Sequence, residues 1–169
     1  EYLMKKCDMY IYDVSQNSIN GGSVRFFIRK VPGETNKVTN LRNNEIKKGY
    51  ANIEVYKNYT ERIENFKIKL IKLINDIKID GSSVMGYGAS TRGNTIMQHC
   101  GFTRNDISCV LDRNPIKHGL EMSGCRIPII SEEEGRKANP DYMIILPYHF
   151  LDEFIDREQE YLENGGKFI

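Results

Sequence analysis

Residues 83–95 of the chain read SVMGYGASTRGNT. The first half, residues 83–88, is a short apolar strand running into glycine; the second opens a helix that ends at Cys100-Gly101. A strand that turns directly into a helix is the repeating unit of parallel sheets, because the crossover helix packs back on the strands. Downstream the alternation repeats. ISCVLD (107–112) is a second strand and IPII (127–130) a brief third. Ser131 with Glu134 three residues later is a capping box that opens a short helix. YMIIL (142–146) is a fourth strand, residues 150–163 are a helix stopped by Gly165-Gly166, and KFI (167–169) starts a fifth strand. Residues 81–169 therefore predict an α/β fold with a Rossmann-like, doubly wound, mostly parallel sheet.

Upstream the period changes. Tyr59, Ile63, Phe66, Leu70, Leu73, Ile74 and Ile77 recur at three- and four-residue steps, which predicts a long amphipathic helix from about residue 53 to Asp80-Gly81 with one buried stripe. Before it, residues 32–49 have few apolar positions and no period, and read as an exposed linker or mobile loop. MYIYDV (9–14) and VRFFIRK (24–30) are β-rich segments joined through Asn20-Gly21-Gly22, the pattern of a hairpin. The expected organisation is a hairpin remnant over 1–31, a linker over 32–52 and the Rossmann-like domain over 53–169.

Composition excludes several classes. Lys and Arg total 24 against 23 Asp and Glu, a net charge of +1, so no global field points to nucleic acid or an acidic membrane surface. With 40% hydrophobic and 28% charged residues the chain is neither disordered nor fibrous. No apolar run reaches a membrane span, and there is no signal-peptide pattern. Cys7, Cys100, Cys109 and Cys125 are scattered, which favours neither a zinc site nor a disulfide framework. A reduced, cytoplasmic protein without a metal is expected. Charge is uneven along the chain: residues 25–48 carry seven basic side chains and two acids, residues 131–163 ten acids and three bases. The plain explanation is two solvated faces; the alternative is a basic flank beside a phosphate site. Both ends read as cut, since the chain opens at Glu1 and stops on the apolar Lys167-Phe168-Ile169, so a piece of a longer protein is expected.

Three segments carry candidate chemistry. The turn from Gly86 to Asn94 joins glycines, which allow close approach of backbone to ligand, to the N–H groups and positive dipole end of a helix start. Ser90, Thr91 and Asn94 supply neutral donors, Gly93 a further close approach, and Arg92 a planar cation suited to phosphate. Asp112 ends the second strand, 24 residues after Gly88, where dinucleotide-binding units place an acid for a ribose hydroxyl. The glycine spacing is G-x-G-x-x-x-x-G, not G-x-G-x-x-G, so the same turn also fits an NAD(P)-binding oxidoreductase only imperfectly, and a non-catalytic nucleotide-binding module remains open. The second segment, Asp112 to Gly119, offers Asn114 and Lys117. The third, Leu146-Pro147-Tyr148-His149-Phe150, offers His149 as a candidate proton shuttle or donor to substrate.

Read together, GYGASTRGNT (86–95), CVLDRNPIKHG (109–119), RIPI (126–129), PDYMIILPYHF (140–150) and REQEYLENGGKFI (157–169) are similar, in that order, to the C-terminal domain of S-adenosylmethionine-dependent sugar C-methyltransferases. NGGSVR (20–25) resembles that family's H-G-G-S-x-R segment, with Asn20 in place of the histidine, and Tyr148 stands where the family has Trp. The resemblance implies a nucleotide-linked deoxysugar as substrate, held by this part of the enzyme. Ser23, Arg25 and Tyr148 join the residues above as expected substrate contacts. It also implies that the S-adenosylmethionine site, the catalytic base and a zinc-binding region lie in an upstream methyltransferase domain. The 169 residues alone are then expected to bind no methyl donor and to be inactive, with no nucleic-acid or membrane partner.

Overall fold

The computed structural model describes all 169 residues. They divide into two compact units, Glu1–Arg62 and Ile63–Ile169, and the division falls inside one long helix. No helix is long and apolar enough to cross a membrane.

In the N-terminal unit a short helix α1 (Tyr2–Lys6) leads into β1 (Tyr10–Asn17), which pairs antiparallel with β2 (Ser23–Arg29). The expected hairpin is present. Asn20, Gly21 and Gly22 all take positive φ, of 55°, 80° and 123°, a run that Asn-Gly-Gly tolerates and bulkier residues do not. Residues 32–49 are not the exposed loop that their composition predicts. Asn36–Lys47 form a helix, α2, lying on β1. Its single buried apolar residue is Val38, too little to register as a period. Long-range polar contacts hold it instead. Thr35 donates its backbone N–H to the Tyr12 carbonyl at 2.9 Å and its hydroxyl to Asp13 at 2.7 Å. Arg42 bonds the carboxylates of both Glu1 and Glu34.

Helix α3 (Ile53–Ile79) follows with 27 residues, about 40 Å of rod at 1.5 Å per residue. The buried stripe expected along it is only partly realised. Leu70, Ile74 and Ile77 are buried, whereas Tyr59, Phe66 and Leu73 are exposed, because the apolar core engages only the last turns and there only the face of Leu70, Ile74 and Ile77.

The C-terminal unit continues with β3 (Val84–Tyr87), α4 (Thr91–Cys100), β4 (Val110–Asp112), β5 (Ile129–Ser131), α5 (Glu132–Ala138), β6 (Tyr142–Ile145), α6 (Leu151–Arg157), α7 (Gln159–Glu163) and β7 (Lys167–Phe168). All five strands are parallel, in the order β5-β4-β3-β6-β7. This is the Rossmann-like arrangement: the chain fills one half outward from β3, then returns and fills the other. Alternation along the strands sorts side chains into two cores. Val84, Val110 and Ile144 meet Ile74 of α3 and Met97 of α4 on one face; Tyr87, Leu111 and Ile145 meet Phe154 of α6 and Tyr161 of α7 on the other. Each fully buried aliphatic side chain among them contributes roughly 1.5–3 kcal/mol. Asp141 ties the entrances of β3 and β6 together, its carboxylate accepting from both the Ser83 N–H and hydroxyl at 2.7 Å. The capping box at Ser131 and Glu134 forms as expected. The single helix expected over residues 150–163 breaks at Glu158, whose carboxylate turns into the protein and bonds Tyr87 and Arg136.

Candidate functional site

Strand order places a switch point at β3, where the chain leaves toward β4 on one side and returns at β6 on the other. Loops leaving these strands diverge and open a crevice beyond their carboxyl ends. A cavity of about 450 Å³ occupies it. Gly88, Ala89 and Ser90 line it from the β3 loop, Asp112, Asn114 and Lys117 from the β4 loop, and Pro147 from the β6 loop.

Gly88 needs to be glycine twice over. Its φ is +82°, and a Cβ there would stand 2.7 Å from the Pro147 ring. The β3 and β6 loops can therefore meet only through a bare backbone. Ser90 caps α4, its Oγ accepting from the Gly93 N–H at 3.0 Å. Gly93 and Gly86 have a different cause. A Cβ on Gly93 would lie 2.4 Å from Leu146 Cβ, and one on Gly86 2.8 Å from a Val110 methyl, so both glycines let α4 and the strands pack closely. Thr91 and Arg92 form the exposed first turn of α4.

Asp112 organises the β4 loop. It is 7% exposed, with Oδ1 accepting from the Asn114 N–H at 2.8 Å and Oδ2 from the Ala89 N–H at 2.8 Å. Lys117 Nζ bonds the same Oδ2 at 2.9 Å and the Ala89 carbonyl at 2.8 Å. The acid and the cation that the sequence offers as ligand groups thus staple the β3 and β4 loops to each other. Asn114 Oδ1 accepts from the Ile116 N–H at 3.1 Å and shapes the turn. Asp112→Asn keeps one acceptor and loses the ion pair, so it is expected to lower stability by about 2 kcal/mol, the range of one charged hydrogen bond. Urea unfolding monitored by circular dichroism measures this; an unchanged midpoint would mean that the staple contributes nothing.

Of the residues expected at the site, Gly88, Ser90, Asp112, Asn114 and Lys117 share the cavity. Thr91, Arg92, Asn94, Tyr148 and His149 stand on the same loops and helix start but outside its lining. Tyr148 is exposed, and the His149 ring lies between those of Tyr148 and Phe150, at 5.7 and 4.3 Å. Two polar atoms here are buried without a hydrogen-bond partner, Asn94 Oδ1 and His149 Nδ1. Ser23 and Arg25 belong to β2 of the N-terminal unit, where the Ser23 hydroxyl donates to the Ile19 carbonyl at 2.9 Å.

The far wall of the cavity was not singled out from the sequence. It consists of Phe150, Glu153, Phe154 and Arg157, with Tyr87 and Glu132 beside them. A signal existed: these four positions recur at three- and four-residue steps along the helix after β6 and so share one face. Tyr87 meets Phe154 edge-on at 4.5 Å. Its hydroxyl donates to Glu158, and burial and that carboxylate together push its pKa far above the ordinary value.

A family model for the C-methyltransferase C-terminal domain matches residues 18–169. The chain is also similar to the C-methyltransferase NovU of Streptomyces niveus, at 31% identity over 170 residues that cover 99% of this chain and 40% of that protein. It therefore spans about two fifths of that relative's length.

Proposed function

The chain belongs to the C-methyltransferase C-terminal domain family, and from that premise we propose that it holds a nucleotide-linked ketodeoxysugar for S-adenosylmethionine-dependent C-methylation. The observation that carries this proposal is the convergence of the β3, β4 and β6 loops on one crevice at the switch point of the sheet. The diphosphate is proposed to lie at the N-terminus of α4, beside the Gly88–Ser90 turn, where the helix dipole favours negative charge.

The residues of this chain do not suit S-adenosylmethionine or a nicotinamide dinucleotide in the usual way. The acid at the ribose position, Asp112, has its carboxylate spent on Ala89, Asn114 and Lys117. We therefore place the methyl donor and the base that deprotonates the sugar beside its keto group outside residues 1–169. When bound there, the donor supplies an electrophilic methyl group. The part played by this chain is positioning: gripping the remote nucleotide fixes the reacting carbon in place, and binding energy is spent on orientation.

Titration calorimetry of the chain with thymidine diphosphate glucose, S-adenosylmethionine and NAD tests the proposal. Heat of binding is expected for the nucleotide sugar alone. NAD binding without nucleotide-sugar binding would falsify it in favour of an oxidoreductase domain.

A further inference from the structure

We propose that Arg157, seated over Phe154, is the nucleobase-recognition residue of this crevice; the inference rests on the nucleotide reading above. Arg157 lines the same cavity as the Gly88–Ser90 turn. Its guanidinium carbon stands 4.8 Å from the centroid of the Phe154 ring and 5.5 Å from that of Tyr87. A cation over an aromatic pair is held in place by the ring quadrupoles, and its planar group stays partly open to the cavity.

A chain of ion pairs fixes it further. Arg157 lies 3.4 Å from Glu132 Oε1, and the other oxygen of that carboxylate is 3.1 Å from Arg136, one turn along α5. Arg136 in turn bonds Glu158, which is 3% exposed and also accepts from the Tyr87 hydroxyl. Two guanidinium groups thus face two carboxylates, and the charges cancel. A neutralised arginine is a poor choice for a diphosphate. It remains a good platform for a flat, uncharged ring that presents carbonyl oxygens, because the guanidinium plane stacks on bases and its spare N–H groups donate to their edges. The cavity then has two ends of different chemistry. The positive dipole end of α4 takes phosphate, and the Arg157–Phe154 wall takes the base.

Binding of uridine diphosphate, thymidine diphosphate and inorganic pyrophosphate to the chain and to its Arg157→Ala and Arg157→Lys variants tests the assignment. Arg157→Ala is expected to weaken both nucleoside diphosphates about tenfold, the scale of one base-stacking contact, and to leave pyrophosphate unchanged. Arg157→Lys keeps the charge but not the plane, and is expected to lose nearly as much. Because Arg157 is at the cavity surface, both variants should melt within a few degrees of the parent. Equal losses for nucleoside diphosphates and pyrophosphate would make Arg157 a phosphate contact and overturn the inference. Unchanged binding in Arg157→Ala would overturn it too while leaving the nucleotide site standing. Failure of the unmodified chain to bind any of the three would remove the nucleotide reading itself, and the inference with it.

Discussion

Glu158→Ala is expected to lower the stability of the C-terminal unit by about 3 kcal/mol, with a fall in melting temperature on the order of 15 °C. The carboxylate is buried, at 3% exposure, and accepts from the Arg136 guanidinium and the Tyr87 hydroxyl. Removing it leaves the Tyr87 hydroxyl without its acceptor and Arg136 with Glu132 alone, and stranding one partner of a buried pair costs roughly 3–5 kcal/mol. The lower end applies because the Arg136 side chain is 43% exposed and water takes up part of the loss. Burial alone would raise the Glu158 pKa, yet the bonds from Arg136 and Tyr87 outweigh it and hold the group below its ordinary 4.5. A depressed carboxylate contributes stability above its unfolded pKa and loses it as pH falls through the folded value. The gap between parent and variant should therefore be full at pH 7 and narrow only as pH falls below the ordinary 4.5, through the lowered folded value. Thermal melts followed by circular dichroism at several pH values check both points. A gap that persists unchanged in acid would show that packing, not charge, sets the cost. A triple replacement, Glu158→Met and Arg136→Met with Tyr87→Phe, is expected to recover most of the loss, since it removes the buried pair together with the hydroxyl that depends on it.

Gly93→Ala is expected to destabilise the unit by about 3 kcal/mol, the upper range for overpacking, and to abolish nucleotide binding. Gly93 sits in the first turn of a helix, where alanine is ordinarily better than glycine by about 1 kcal/mol. The environment reverses that sign. The added methyl would lie 2.4 Å from Leu146 Cβ, an atom fixed to the end of β6 and 1% exposed, and 3.0 Å from the Ser90 hydroxyl that caps the helix. Neither can step aside, so α4 must lift from the sheet and carry the Gly88–Ser90 turn with it. Denaturant unfolding and calorimetry with thymidine diphosphate read the two effects separately. A variant as stable as the parent would show that α4 rides on the sheet with room to spare.

These two positions also separate what the sequence discloses from what it conceals. Gly93 stands out in the strand–turn–helix stretch as a close approach to ligand; what a side chain there would meet is Leu146, fifty-three residues on. Glu158 was invisible inside an apparently continuous helix, since its partners come from β3 and α5. Asp112 and Lys117 were legible as a polar cluster after a strand, yet nothing local says that their charges meet each other before they meet a ligand.

The amino-acid sequence by itself determined the class of fold. Apolar runs of three to six residues alternate with helices and glycine-ended turns, and parallel strands with right-handed crossovers can be joined in few ways. The hairpin followed from Asn-Gly-Gly, the capping box from Ser131 and Glu134, and the crevice from the rule that strand ends at a switch point lie open. Only the tertiary structure decided the rest. Helix α2 exists because Thr35 and Arg42 find partners on other segments, energy that no local period records. The exposed half of the α3 stripe and the wall of the crevice around Arg157 were likewise settled by which surfaces meet. Periodicity reports which side chains share a face, whereas packing alone decides what that face touches.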